Sequence, residues 1–139
     1  MYSWLLLLAI LLPGLHVPVS PLGVATYRDS PFRLPWVVGS EHRLIQGNQS
    51  LAGSHQGKEA YSWDVQMPIG TAVLADRDGV VTMTKDDSNA GGYDYYLGTQ
   101  ANYIVINHGD GTQTVYLHLM YHGVLAVSYT HLTLPTILR

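Results

Sequence analysis

Apolar and polar positions fall into three regimes along this chain. The first is an uninterrupted apolar run from Trp4 to Leu12, stopped by Pro13 and Gly14. Residues 26–50 carry no period, because Pro31, Pro35, Gly39 and Gly47 cut every apolar piece short. They read as a lead-in segment lying against the core. From residue 51 onward, short apolar runs alternate with turn residues in the manner of a β protein. Tyr61 to Val65 is strand-like, with Trp63 and Val65 set to face inward and Ser62 and Asp64 outward. Ala72 to Ala75 and Gly79 to Thr84 read as strands separated by the turn at 76–79. Asn102 to His108 and Gln113 to Leu119 flank Gly-Asp-Gly, whose residues accept the positive φ of a hairpin turn. In the second of these strands, alternation places Val115, Leu117 and Leu119 on the core side. Thr114, Tyr116 and His118 then face outward. A polar loop rich in Gly and Tyr spans 85–100, and a loop of that size in a small sheet protein is usually functional or mobile. No stretch has the period of an amphipathic helix. The pattern predicts an all-β fold with an antiparallel sheet core.

The apolar run needs separate treatment. Nine residues of helix rise only about 14 Å, roughly half a bilayer core, so the run suits the apolar part of a signal peptide. No charged side chain precedes Arg28, and small residues at Ser20, Gly23 and Ala25 offer cleavage points. Cleavage is expected after Ala25, with an uncleaved anchor as the alternative. Either way the rest of the chain is expected outside the cytoplasm, secreted or periplasmic. Membrane contact is then limited to the leader if it stays attached.

The 139 residues allow one domain. Seven basic against ten acidic side chains give a net charge of −3, without the basic patch a nucleic-acid binder needs. With no cysteine, a disulfide scaffold, a thiol nucleophile and Cys-ligated metal are excluded. Any metal must be held by His and carboxylate. His55 in a Gly-rich turn and Asp64 on the strand-like piece offer an imidazole and a carboxylate, half of a three-ligand zinc site. Asp64 could equally cap a turn or pair with Lys58. His118, two residues after Tyr116 on an outward strand face, is either an ordinary surface His or a general base. Asp76, Asp78, Asp86, Asp87, Asp94 and Asp110 sit in turn contexts and read as structural. His108 starts the hairpin turn and reads likewise. His16 belongs to the leader, and His42, His122 and His131 have no evident partner.

The order of these pieces carries a resemblance. Ser54-His55, Tyr61-Ser-Trp-Asp64, Met67-Pro-Ile-Gly-Thr71, Val73-Leu-Ala75, Asp78-Gly-Val-Val81, Asn102-Tyr-Ile-Val-Ile-Asn-His108 and Tyr116-Leu-His-Leu119 follow one another here. In that order they resemble the lysostaphin/LytM-type zinc metalloendopeptidases, which cut peptide crosslinks of bacterial peptidoglycan. The resemblance covers about residues 46–125. It implies the antiparallel β core of those peptidases, zinc as cofactor, and peptidoglycan crosslink peptides as partner. It makes His55 and Asp64 two zinc ligands and His118 one of two catalytic histidines, with one wall of the substrate groove in the Tyr-rich loop at 91–98. Eight residues separate His55 from Asp64 where the commonest family form has three; a branch of the family carries the longer spacing.

One family motif is missing. The third zinc ligand and second catalytic His come from a downstream His-x-His, and after His118 this chain has only His122 and His131, neither in such a motif. From about residue 127 the sequence departs from the family pattern and resembles a translated sequencing-adapter read-through. The expected division is therefore a signal peptide at 1–25, a lead-in at 26–50, a partial peptidase core at 51–126 and a non-native tail at 127–139. With two ligands and its last strands missing, the polypeptide is expected to hold zinc weakly and to be inactive. The alternative is a non-catalytic module on the same fold, binding the cell wall or activating an amidase. A plain carbohydrate-binding or adhesion sandwich would treat the three residues as coincidence.

Overall fold

The computed structural model describes residues 2–10, 30–51, 53–91, 95–126, 131–132 and 137–138. Among the described residues seven strands form one sheet: β1 (Tyr2–Ile10), β2 (Arg43–Gln46), β3 (Ser62–Pro68), β4 (Gly79–Lys85), β5 (Asn102–Asn107), β6 (Gln113–Leu119) and β7 (His131–Leu132). Their spatial order is β2-β3-β1-β6-β5-β4-β7, and every pairing is antiparallel. The helical pieces among the described residues are short 3-10 turns at Gly57–Glu59 and Tyr95–Gln100. The all-β expectation holds. Ala72–Ala75 falls short of a strand, leaving a single bridge between Leu74 and Ile137. The lead-in contributes β2, a strand that the irregular sequence pattern did not predict.

The apolar run at the front is extended, not helical. β1 pairs with β3 from Tyr2↔Pro68 to Leu8↔Ser62, and with β6 from Leu6↔Leu117 to Ile10↔Gln113. It therefore joins the two-strand unit β2-β3 to the four-strand unit β6-β5-β4-β7. No helix among the described residues is long and apolar enough to cross a membrane. Ala25, where cleavage was expected, lies outside the described residues. Of the last thirteen residues, β7 pairs with the start of β4, and Leu132 and Leu138 are buried in the core.

The core corrects expectations on two strands: on β3 Ser62 is buried and Trp63 exposed, the reverse of the alternation expected there, and on β6 the inner face changes. The core comprises Val65, Met67, Val73, Ala75, Val81, Ile104, Ile106, Tyr116 and Leu119, among others, and Thr114 and Tyr116 are fully buried. Both were expected to face solvent, whereas Val115 and Leu117 are only half-buried. The reversal has a chemical reason. The segment after Thr71 crosses this face and brings Asp76 over β6. The Tyr116 hydroxyl donates to Asp76 Oδ1 at 2.6 Å and accepts from the Asp76 backbone N–H at 2.7 Å. Thr114 Oγ1 donates to Asp76 Oδ2 at 3.0 Å. A buried carboxylate therefore selects the hydroxyl-bearing face of β6 as the inner one. Asp76 is thus a buried anchor as well as a bend residue whose carboxyl bonds its own backbone. Asp110 does behave as a turn residue, accepting from the Thr112 N–H at 3.0 Å.

His108 extends the network. Its Nδ1–H donates to the Asp78 carbonyl at 2.8 Å, and Nε2 lies 2.9 Å from Thr114 Oγ1. The carbonyl can only accept, so the path from imidazole through Thr114 to Asp76 accommodates one shared proton. Burial pushes the Asp76 carboxyl up, against the Tyr116 and Thr114 bonds that pull it down.

Two outcomes follow from this anchor. Tyr116→Phe strips Asp76 of a donor and its N–H of an acceptor, and should cost about 1–3 kcal/mol in denaturant unfolding. A carboxyl raised on folding stabilises fully below its unfolded value, and that contribution is lost as pH rises through the folded value. Asp76→Asn keeps the Tyr116 bond without the titration. Unfolding curves should therefore show the native chain losing stability relative to this variant from about pH 4 upward.

Candidate functional site

His55 lies in the loop between β2 and β3 and is fully buried. Two lead-in residues hold it there. The His55 Nδ1–H donates to the Gly47 carbonyl at 2.8 Å. The Gln46 side-chain oxygen, with the amide oriented to satisfy both groups, accepts from the backbone N–H of Ser54 and of His55, each at 3.1 Å. Gln46 closes β2 opposite Asp64 on β3, past a register shift after Leu44. A Cβ on Gly53 would collide with the Gln46 amide, so glycine there lets the loop close over Gln46.

Asp64 faces the imidazole. His55 Nε2 and Asp64 Oδ1 are 3.1 Å apart. Because Nδ1 spends its hydrogen on a carbonyl, the neutral ring presents a lone pair to a carboxylate oxygen, and only a cation between them makes this contact favourable. A proton or a metal ion fills that role. Asp64 is about a quarter exposed, and burial raises its carboxyl above the ordinary range, with the His55 and His118 charges opposing. Asp64 thus pairs with His55, and the alternative pairing with Lys58 is not formed. Ser62 precedes Asp64 by one alternation on β3, and its buried hydroxyl has no partner.

His118 joins the pair from β6. It has φ +61° and sits at a β-bulge: Tyr103 pairs with Leu117 and Asn102 with Leu119, which leaves His118 opposite no residue. Strict alternation would set His118 beside Tyr116 in the core. The bulge gives that place to the buried Leu119 and leaves His118 exposed. Partial burial of the ring lowers the imidazole's proton affinity, and the charges of Asp64 and Glu59 raise it in opposition. His118 and Asp64 are near enough for each to shift the other's proton affinity.

The remaining histidines are elsewhere. The His42 ring packs edge-on against Trp36 at 5.2 Å, and His122 stacks on Tyr121 with Asp86 at 3.8 Å. His131 lies on β7, at the sheet edge opposite β2. Among the described residues no group of three His, Cys, Asp or Glu is arranged to hold a metal. Part of the Tyr-rich loop, at 92–94, lies outside the described residues. Sequence reasoning missed Gln46 and Gly47, because both lie where the lead-in shows no periodicity.

Residues 58–129, more than half of the chain, match Peptidase family M23. The chain belongs to this family. The matched segment includes Asp64 and His118 and begins just after His55. Over 56 residues, 40% of the chain, it is 46% identical to peptidoglycan DD-endopeptidase ShyA of Vibrio cholerae, a stretch that spans 11% of that relative's length. No solved structure gives a significant match. The β-rich architecture agrees with membership of that family.

Gln46→Ala should release the His55 loop while leaving the sheet intact. With two backbone N–H groups left unmet, amide exchange at Ser54 and His55 should quicken about tenfold, equivalent to about 1.4 kcal/mol. Protection in β5 should not change.

Proposed function

We propose that this chain carries part of the site of an exported zinc metallopeptidase that hydrolyses peptide crosslinks of bacterial peptidoglycan. The observation that supports this most is the opposed pair His55 Nε2 and Asp64 Oδ1 at 3.1 Å, with Nδ1 committed to the Gly47 carbonyl. Two ligands of one tetrahedral zinc are separated by about 3.3 Å. A ligand His normally donates its other N–H to a carbonyl or carboxylate. The donor set therefore suits zinc. It supplies two protein ligands where a hydrolytic site uses three, and we assign the third to a His-x-His segment outside the present sequence.

In this reading His55 and Asp64 hold the metal, and His118 accepts and returns protons at the scissile peptide. A zinc ion held there would activate water and polarise the peptide carbonyl. The lowered proton affinity of the His118 imidazole keeps it available as a base near neutral pH. His55, buried and fixed at both ring nitrogens, is a holding group with no freedom to shuttle protons. Kinship with a peptidoglycan endopeptidase supports the substrate class and the cell-envelope location. Residues 1–25 are read as the export signal, and this polypeptide is read as inactive without its third ligand.

The test is zinc titration of the 139-residue chain, followed by histidine ring NMR. Zinc should perturb the His55 ring with an affinity far below that of a closed structural site. His55→Ala or Asp64→Asn should weaken binding at least tenfold. Incubated with peptidoglycan and zinc, the chain should release no crosslink peptides, whereas a version extended through a downstream His-x-His should. Zinc binding that ignores both substitutions would overturn the metal assignment. A metal-loaded, extended protein that cleaves nothing would favour the amidase-activating or wall-binding module.

A further inference from the structure

His118 holds a backbone conformation that a non-glycine residue disfavours by roughly tenfold. Such a conformation persists only where the surroundings over-determine it. On the N-terminal side of the bulge, the Leu117↔Tyr103 pairing supplies part of that constraint. On the C-terminal side the Asn102↔Leu119 pairing is reinforced by the side chain of Asn102.

Asn102 is almost fully buried, at 3% exposure. Its Nδ2 donates to the Leu119 carbonyl at 3.1 Å and to the Ser88 carbonyl at 2.8 Å, while Oδ1 accepts from the Ser88 N–H at 2.9 Å. Both carbonyls require a donor and the N–H requires an acceptor, so the amide fits in one orientation only. The β4–β5 ladder ends at Lys85↔Tyr103, where the chain after β4 turns away. Beyond that point the Asn102 carboxamide pairs with Ser88 as a strand backbone would. The same hand reaches Leu119, the residue that closes the bulge. The loop is tied a second time, by the His122 N–H donating to the Asp86 carbonyl at 2.8 Å.

We propose that Asn102 is the positioning residue for His118: its carboxamide holds the bulge that turns the imidazole out of the core, and couples that bulge to the loop at 86–88. Its importance for the chemistry rests on the reading of His118 as the proton-transfer group. Asparagine suits the position because aspartate would set an acceptor against two carbonyls and leucine would leave three backbone groups unmet.

The test uses the 139-residue chain with Asn102→Ser and Asn102→Asp, read by the His118 Cα and Cβ chemical shifts, which distinguish left-handed from extended backbone. Both variants should lose the left-handed signature while the His108 ring and the β5 amides keep their shifts. A left-handed His118 in a folded Asn102→Ser protein overturns the proposal, and that variant alone decides if Asn102→Asp fails to fold. A stability cycle with His118→Gly gives a second readout, since glycine needs no help to adopt φ near +60°. In the glycine background Asn102→Ser should perturb the unfolding equilibrium about tenfold less than in the native one. Additive effects would show that Asn102 supports the sheet in general and does not position His118. Neither measurement involves metal or substrate, so a failed zinc titration leaves this inference standing and refutes only the peptidase reading.

Discussion

One residue left out of a ladder organises this molecule. Strand β6 must supply the core and the site, and a regular strand with Thr114 and Tyr116 inward would carry His118 inward as well. The bulge between Leu117 and Leu119 breaks that parity. Below it, the Tyr116 hydroxyl grips Asp76 and fixes the strand against the segment crossing the core. Above it, Leu119 returns to the core and His118 stands outside it. The strained φ at His118 is the local consequence of serving both sides from one strand.

The rest of the site is assembled from pieces far apart in the chain. β2 brings Gln46 and Gly47 from the lead-in and seats His55 beside Asp64. β1 brings the apolar front segment between β3 and β6, the strands that carry Asp64 and His118. The spacing of those two residues across the sheet is therefore set by whichever strand lies between β3 and β6. Hydrogen bonding along both edges of that central strand is what keeps the two halves of the sheet in register.

Family membership and the β-rich architecture agree, and the two histidines stand in different surroundings. His55 is buried, with its Nδ1–H on the Gly47 carbonyl and its Nε2 opposed by Asp64. His118 stands on a bulge, with its proton affinity lowered by partial burial of the ring. The two differ in burial and in backbone: His55 is fully buried, whereas His118 is exposed and holds φ +61°.

The sequence by itself determined the all-β class, the hairpin at 107–113, strands β4 to β6 almost to the residue, and the identities of His55, Asp64 and His118 as the side chains to examine. Each of these depends on local information: alternation, turn residues that accept positive φ, and residue chemistry in a familiar order. Tertiary structure decided what local information could not. On β6 alternation of apolar side chains pointed to the wrong inner face, Val115 and Leu117; the carboxylate of Asp76, arriving from another segment, turned Thr114 and Tyr116 inward. The bulge that separates His118 from Tyr116 has no glycine to announce it. β2 is concealed in a stretch without period, because an edge strand with largely exposed side chains needs no alternating apolar face. The front segment became a strand because β3 and β6 both offered it unpaired backbone, a demand visible only once the sheet exists.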